Sequence, residues 1–264
     1  MRIALAALGL AACGLEVRGT ATLDAGANRP EATTDAQAPP FDGGTTSSSV
    51  IVLPDGGSQV VEASPDAQAP TDPCPPSPNL FLCLPFDGNI TDRSLKALTL
   101  TATDLSFGAG KFDQAARFTL NPKSNLQLAA FQDFNTPAAT IELWINPTSF
   151  PASGSTMSIV DMDGRFGISL NSDGTVSCRG FTLTTKTVLG QWTHIACVND
   201  GTTMFAYANG TLETSGANQL GTTGTWIGIG QNSPQNDRNL DAMLDTLRIW
   251  NDARTAAQIA DSAR

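Results

Sequence analysis

His194 is the only histidine of the chain, and a general base is the role a lone imidazole could fill. It stands in Trp192-Thr-His-Ile-Ala-Cys-Val198, and the sequence nominates no serine or cysteine that it could activate. A packed or hydrogen-bonded strand histidine is therefore expected. Cys74, Cys83, Cys178 and Cys197 could bind a metal, but their spacings are not of the CxxC type and one histidine cannot complete a zinc set. What remains is recognition. Trp144, Trp192, Trp226, Trp250 and Tyr207 are candidates for stacking on sugar rings. The polar, Gly/Asn-rich loops 161–165 and 231–239 are candidates for a variable binding rim, because loops carry function on rigid sandwiches.

The elements that must hold these residues alternate with a period of two. Residues 191–210 read as a hairpin: Trp192, His194, Ala196 and Val198 share one face, Thr193, Ile195 and Cys197 the other. Asn199-Asp-Gly supplies the tight turn, and Met204 to Ala208 should fold back antiparallel. Further short strands are expected at 79–84, 98–102, 116–119, 125–128, 139–146, 158–162, 165–170, 175–181, 210–214, 225–230 and 242–250. Thr255-Ala-Ala-Gln is a capping box, predicting one short helix over 255–263. A dozen strands with Gly-rich punctuation indicate an all-β fold, a sandwich of two antiparallel sheets.

Composition divides the 264 residues unevenly. Residues 13–73 are rich in Ala, Pro, Asp and Gly and repeat Asp-Ala-Gln-Ala-Pro at 35–39 and 66–70, a disordered linker by composition. Val50 to Leu53 reads there as a lone apolar patch. Only 74–264 can bury a core, and a domain of that size hides roughly 70% of its chain surface. Basic residues number two against nine acidic in 14–73 and twelve against sixteen in 74–264, within a formal charge of −10. No basic stripe exists, so a nucleic-acid partner is excluded on charge grounds.

The N-terminus carries one arginine, a short apolar run and then small residues before Cys13. The run is shorter than the roughly 20 residues a membrane-spanning helix needs. Leu10-Ala11-Ala12-Cys13 resembles the lipobox of bacterial lipoproteins. That resemblance implies a signal peptide over 1–12, lipidation of Cys13, and, with Gly14 in place of Asp, an outer-membrane or cell-surface location held only by the lipid anchor. Four cysteines then remain in an oxidising compartment. Three pairings are open; 74–83 and 178–197 are expected, the second because a hairpin turning near Lys186 to Gly190 would set Cys178 beside Cys197.

Leu84-Pro-Phe-Asp-Gly-Asn, Gly110-Lys-Phe-Asp-Gln-Ala-Ala-Arg-Phe, Thr140-Ile-Glu-Leu-Trp-Ile-Asn-Pro, Gln191-Trp-Thr-His-Ile-Ala, Tyr207-Ala-Asn-Gly and Leu244-Asp-Thr-Leu-Arg-Ile-Trp follow in order. Together they resemble the LamG-like members of the concanavalin A-like lectin/glucanase superfamily over residues 79–264. The resemblance implies a jelly roll with the last helix packed at one end, and burial of most of the five aromatics. It also implies a structural calcium held by Asp87, Asn89, Asp92 and Asp245, hard oxygen ligands of the kind calcium takes. The family's glycines after Asp92 are absent here, and Ala242 stands at another. Glucanase chemistry needs paired carboxylates, in this superfamily as Glu-x-Asp-x-x-Glu. Only Glu142 and Glu213 lie in the domain, without that pattern. The expectation is a non-catalytic, surface-tethered module for a carbohydrate or a glycosylated or protein partner. A purely structural envelope protein is the alternative, and a glycoside hydrolase the third.

Overall fold

The computed structural model describes residues 49–52, 58–61, 72–129, 136–221, 226–232 and 235–264. The chain divides into two units, Met1–Pro65 and Asp66–Arg264. In the first, β1 (Ser49–Val52) pairs antiparallel with β2 (Ser58–Val61). The apolar patch expected to stand alone in the linker thus has a partner, since Gln59-Val-Val is a second β-prone run across the Asp-Gly-Gly connection. Residues 1–12, Cys13 and the rest of 13–71 lie outside the described residues.

The second unit runs β3 (Leu80–Leu84), β4 (Thr101–Thr103), β5 (Ser106–Ala109), β6 (Gln114–Phe118), β7 (Asn125–Ala129), β8 (Ala139–Pro147) and β9 (Thr156–Asp161). It continues through β10 (Gly167–Asn171), β11 (Thr175–Cys178), β12 (Phe181–Lys186), β13 (Thr193–Asn199), β14 (Thr203–Ala208), β15 (Thr211–Ala217), β16 (Trp226–Ile229), β17 (Ala242–Trp250) and α1 (Ala256–Ser262). Seven strands form one sheet in the order β12-β11-β10-β9-β16-β7-β4. Eight form the other, in the order β15-β14-β13-β8-β17-β6-β5 with β3 also on β17. Every pairing is antiparallel, and the whole is a jelly-roll sandwich with one short C-terminal helix.

Alternation decides what lies between the sheets. Ile141, Leu143 and Ile145 of β8 and Ile195 and Cys197 of β13 meet Ile168, Leu170, Val176 and Leu183 of the other sheet in one buried cluster. The intervening residues point outward, as the period of two requires. On the eight-stranded sheet part of that outer face is itself covered, because Ile259 of α1 packs on Ala196, Val198 and Tyr207. Thr255 caps α1 through the expected box with Gln258.

Both disulfides are present, Cys74–Cys83 and Cys178–Cys197. The geometric reason given for the second needs correcting. Residues 175–181 are not one strand; the chain turns at Arg179-Gly180, and β12 returns along β11 before the chain crosses to the other sheet. Cys178 and Cys197 therefore lie on facing sheets, with Cα atoms 5.7 Å apart, and the bond staples the sandwich through its core.

The free edges are closed by a side chain. Glu213 on edge strand β15 accepts from the backbone N–H of Thr184 (2.7 Å) and Thr185 (2.9 Å) on edge strand β12, and from both their hydroxyls. An edge strand's unpaired amides are thereby satisfied.

Candidate binding cleft

On the outer face of the seven-stranded sheet a cleft of about 430 Å³ opens above β9 and β10. Its floor is low because the register sets Gly228 and Gly167 on either side of Asp161, leaving that row without neighbouring side chains. The next row is hydroxylic: Ser158, Ser169, Ser177 and Thr182 lie opposite one another across four strands. Ser177 and Thr182 are hydrogen-bonded at 2.9 Å, and Asn171 donates to Ser177 Oγ at 2.9 Å.

Two turns wall the cleft. Arg179-Gly180 is a two-residue hairpin loop with φ of 44° and 91°, the left-handed pair that such a loop demands. A Cβ at Gly180 would meet Gln219 Oε1 at 3.2 Å, a contact that a small shift of the Gln219 amide relieves, so the backbone angle is what calls for glycine. Arg179 Nε donates to the Gln219 carbonyl at 2.8 Å. Opposite, Asn232 Nδ2 donates to Asp237 at 2.7 Å, closing a loop that carries Arg238 over β9, where the Arg238 carbonyl accepts from Ser158 N at 2.8 Å. Of the two loops expected to form the rim, 161–165 contributes only Asp161 and 231–239 only Asn232 and Arg238 among the described residues. Arg165 is buried and donates to the Thr136 carbonyl at 2.5 Å, and its burial lowers its pKa. Arg179 and Gly180 stand on a turn inside the strand expected over 175–181, and Gln219 comes from the segment after β15, with no local signal to mark any of the three.

The four residues nominated for calcium do not converge. Asp92 is buried and fully occupied: Oδ1 accepts from Cys83 N and Ser94 N, both 2.9 Å, and Oδ2 from Ser94 Oγ (2.8 Å) and Leu98 N (2.7 Å). Asn89 serves its own turn, donating to the Asp87 carbonyl and accepting from Thr91 N. Asp87 and Asp245 do share a region. Asp245 lies at the break in β17 where β6 ends as its neighbour and β3 takes over, marked by Thr246 at φ 47°. Burial pushes its carboxyl up to about 6 despite hydrogen bonds from Phe112 N (2.9 Å) and Thr246 Oγ1 (2.8 Å), and the charge of Asp87 adds to the rise. Gly110 faces it so closely that a Cβ would come within 2.6 Å of Asp245 Oδ2. Among the described residues no three His, Cys, Asp or Glu gather where they could hold a metal. Two carboxylates fall well short of calcium's six to eight oxygens, so main-chain carbonyls and water would have to supply the rest.

Of the remaining candidates, Trp226 stands on β16, on the outer face of the seven-stranded sheet since its neighbour Ile227 turns into the core, and the others sit on the eight-stranded sheet. Glu142 is buried on β8, 3.0 Å from Arg248 Nε, and accepts from Trp250 Nε1 at 3.0 Å. His194 Nε2 is 3.7 Å from Glu142, yet burial and the Arg248 charge push this imidazole down to about 3, so it is neutral and forms no ion pair at physiological pH. Its ring stands edge-on to Trp144, centroids 5.3 Å apart, beneath Lys111, whose Nζ is 4.4 Å from the Trp144 centroid. Glu142 and Glu213 are thus committed to structural contacts on different elements. Trp144, Trp250 and Tyr207 are buried; Trp192 and Trp226 keep partial exposure.

A family model described as concanavalin A-like lectin/glucanases superfamily, Laminin_G_3, matches residues 121–260. No curated protein matches the chain. Among solved structures, domain 4 of AbnA, a GH43 extracellular arabinanase from Geobacillus stearothermophilus in complex with arabinotriose, is similar at a TM-score of 0.57 and 23% identity, over 70% of this chain and 98% of that one. The binding domain of Paraclostridial Mosquitocidal Protein 1 gives 0.58 and 18%, over 70% and 52%. The binding domain of Botulinum neurotoxin DC in complex with SialylT gives 0.55 and 11%, also over 70% and 52%. The chain spans nearly all of the arabinanase domain and about half of each toxin domain. At these identities the likeness shows the fold.

Proposed function

The chain belongs to the concanavalin A-like lectin/glucanases superfamily, and on that premise we propose that it is a non-catalytic binding module that takes a carbohydrate, or a glycosylated or protein partner, in the cleft of the seven-stranded sheet. The observation that carries this reading is the cleft itself. It is open and glycine-floored, with hydroxyl, amide and guanidinium groups converging from β9, β10 and two turns. Such groups placed around a preformed concavity are what orient a polar ligand. Two of the similar solved structures are binding domains and a third, an arabinanase domain, is in complex with arabinotriose, which supports the same use of the fold. Among the described residues no pair of carboxylates at hydrolytic spacing lines the cleft, and Asp161 is the one acidic residue of its lining.

The module is tethered, on this reading, by lipid on Cys13 at the outer membrane or cell surface, with the linker 13–73 as stem. A cation near the break in β17 would be held by Asp87 and Asp245, and it would relieve the repulsion that adds to the rise at Asp245. Binding by the full chain on a glycan array, with affinity capture of glycoproteins in parallel, tests the function. A micromolar response in either is expected, and silence in both overturns it.

A further inference from the structure

The cleft gathers two guanidinium groups, and both come from residues with left-handed backbone, Arg179 at φ 44° and Arg238 at φ 49°. Such positions favour Gly, Asn and Asp, and a two-residue hairpin loop favours Asn-Gly. A long cationic side chain therefore stands at two places where the backbone alone would select another residue. Arg179 is oriented by its Nε bond to Gln219, which leaves both terminal nitrogens uncommitted among the described residues. Arg238 is exposed and its side chain makes no hydrogen bond or ion pair among the described residues. Against them the described lining holds one carboxylate, Asp161, an excess of one formal positive charge on a chain of formal charge −10, with Asp237 behind Asn232 in the same loop. A planar guanidinium matches a carboxylate through two parallel hydrogen bonds, which a neutral sugar cannot reciprocate.

We propose that the cleft selects an acidic glycan, with the sugar carboxylate held between Arg179 and Arg238 and neighbouring ring hydroxyls taken by Ser158, Ser169 and Asn232; this rests on the reading of the chain as a carbohydrate-binding module. Uronic and sialic acids present the same carboxylate. Calorimetry with the full chain separates them, using oligogalacturonate against its methyl ester and sialyllactose against lactose, beside an array of neutral and acidic glycans.

At least one acidic sugar is expected to bind tenfold or more tightly than its neutral counterpart. That preference should weaken in high salt, fall at least tenfold in Arg238→Gln and return in part in Arg238→Lys, with melting temperatures unchanged. A response confined to neutral sugars, or a preference untouched by Arg238→Gln, overturns the acidic assignment and leaves the carbohydrate module standing. An array blank for all glycans overturns both.

Discussion

His194 stays neutral in the folded chain because burial and the Arg248 charge hold its pKa near 3, whereas the unfolded chain takes up a proton near 6.5. Folding therefore disfavours protonation. The stability tied to this residue is complete above about pH 6.5 and drains as the pH falls toward 3, amounting to about 3 kcal/mol by pH 4. Urea unfolding at pH 7 and pH 4 should show the loss in the parent and a shallower one in His194→Gln; equal slopes would contradict the assignment. Asp245 works in the other sense. Its folded pKa of about 6 lies above the unfolded value, so its favourable contribution is complete below about pH 4 and disappears as the pH rises through 6. Asp245→Asn should accordingly melt higher than the parent in EDTA at pH 7. Any rise that millimolar calcium gives the parent should vanish in this variant. A variant that melts lower in EDTA would show that the carboxylate is stabilised by contacts stronger than its desolvation.

At the scale of elements, the sandwich depends on a few cross-links between sheets that pack chiefly by alternation. Replacing Cys178 and Cys197 together by Ala should cost about 2–4 kcal/mol, and non-reducing peptide mapping should recover only the 74–83 and 178–197 pairs. A crossed pair would contradict the fold. Glu213→Ala should cost about 0.5–1.5 kcal/mol by removing the acceptor shared by the edge amides of β12, which water then takes over, read by denaturant midpoint. The strands themselves were legible in sequence wherever alternation was long and the turn chemistry familiar, as in the hairpin around Asn199-Asp-Gly and in β8 and β17. They were not legible at Arg179-Gly180. Val176 and Cys178 alternate with Thr175 and Ser177 right up to the turn, and arginine gives no local hint of positive φ. β5 escaped for a similar reason, being short, half-exposed and without a strong apolar face. The hydrogen bonds that Asp92 accepts from Cys83 N and Leu98 N were not legible, because the fold alone brings those groups together. The cleft was half legible: polar loops mark its rim, but the glycine floor depends on a register between β16, β9 and β10 that no local pattern encodes.

Across the whole domain the two outer faces have different tasks. From Asp72 onward the stem is fastened to the eight-stranded sheet. Cys74 packs with Leu80, Cys83 and Trp250, the Pro73 carbonyl accepts from Arg248 Nη1 at 3.3 Å, and Asp72 pairs with Arg93 at 3.1 Å. The cleft lies on the other sheet. If the anchor is lipid on Cys13, metabolic labelling with a fatty-acid analogue should mark the parent and not Cys13→Ser; labelling of both would contradict the anchor. The central claim is that recognition belongs to the seven-stranded face. The most direct measurement compares glycan or glycoprotein binding by the parent, by Ser169→Phe, which fills the cleft from its floor, and by Phe112→Ala, which removes an exposed aromatic beside Trp144 on the opposite face. Loss of binding in Ser169→Phe with binding kept in Phe112→Ala is the predicted result. Binding kept in Ser169→Phe and lost in Phe112→Ala would contradict the account and move the site to the eight-stranded sheet.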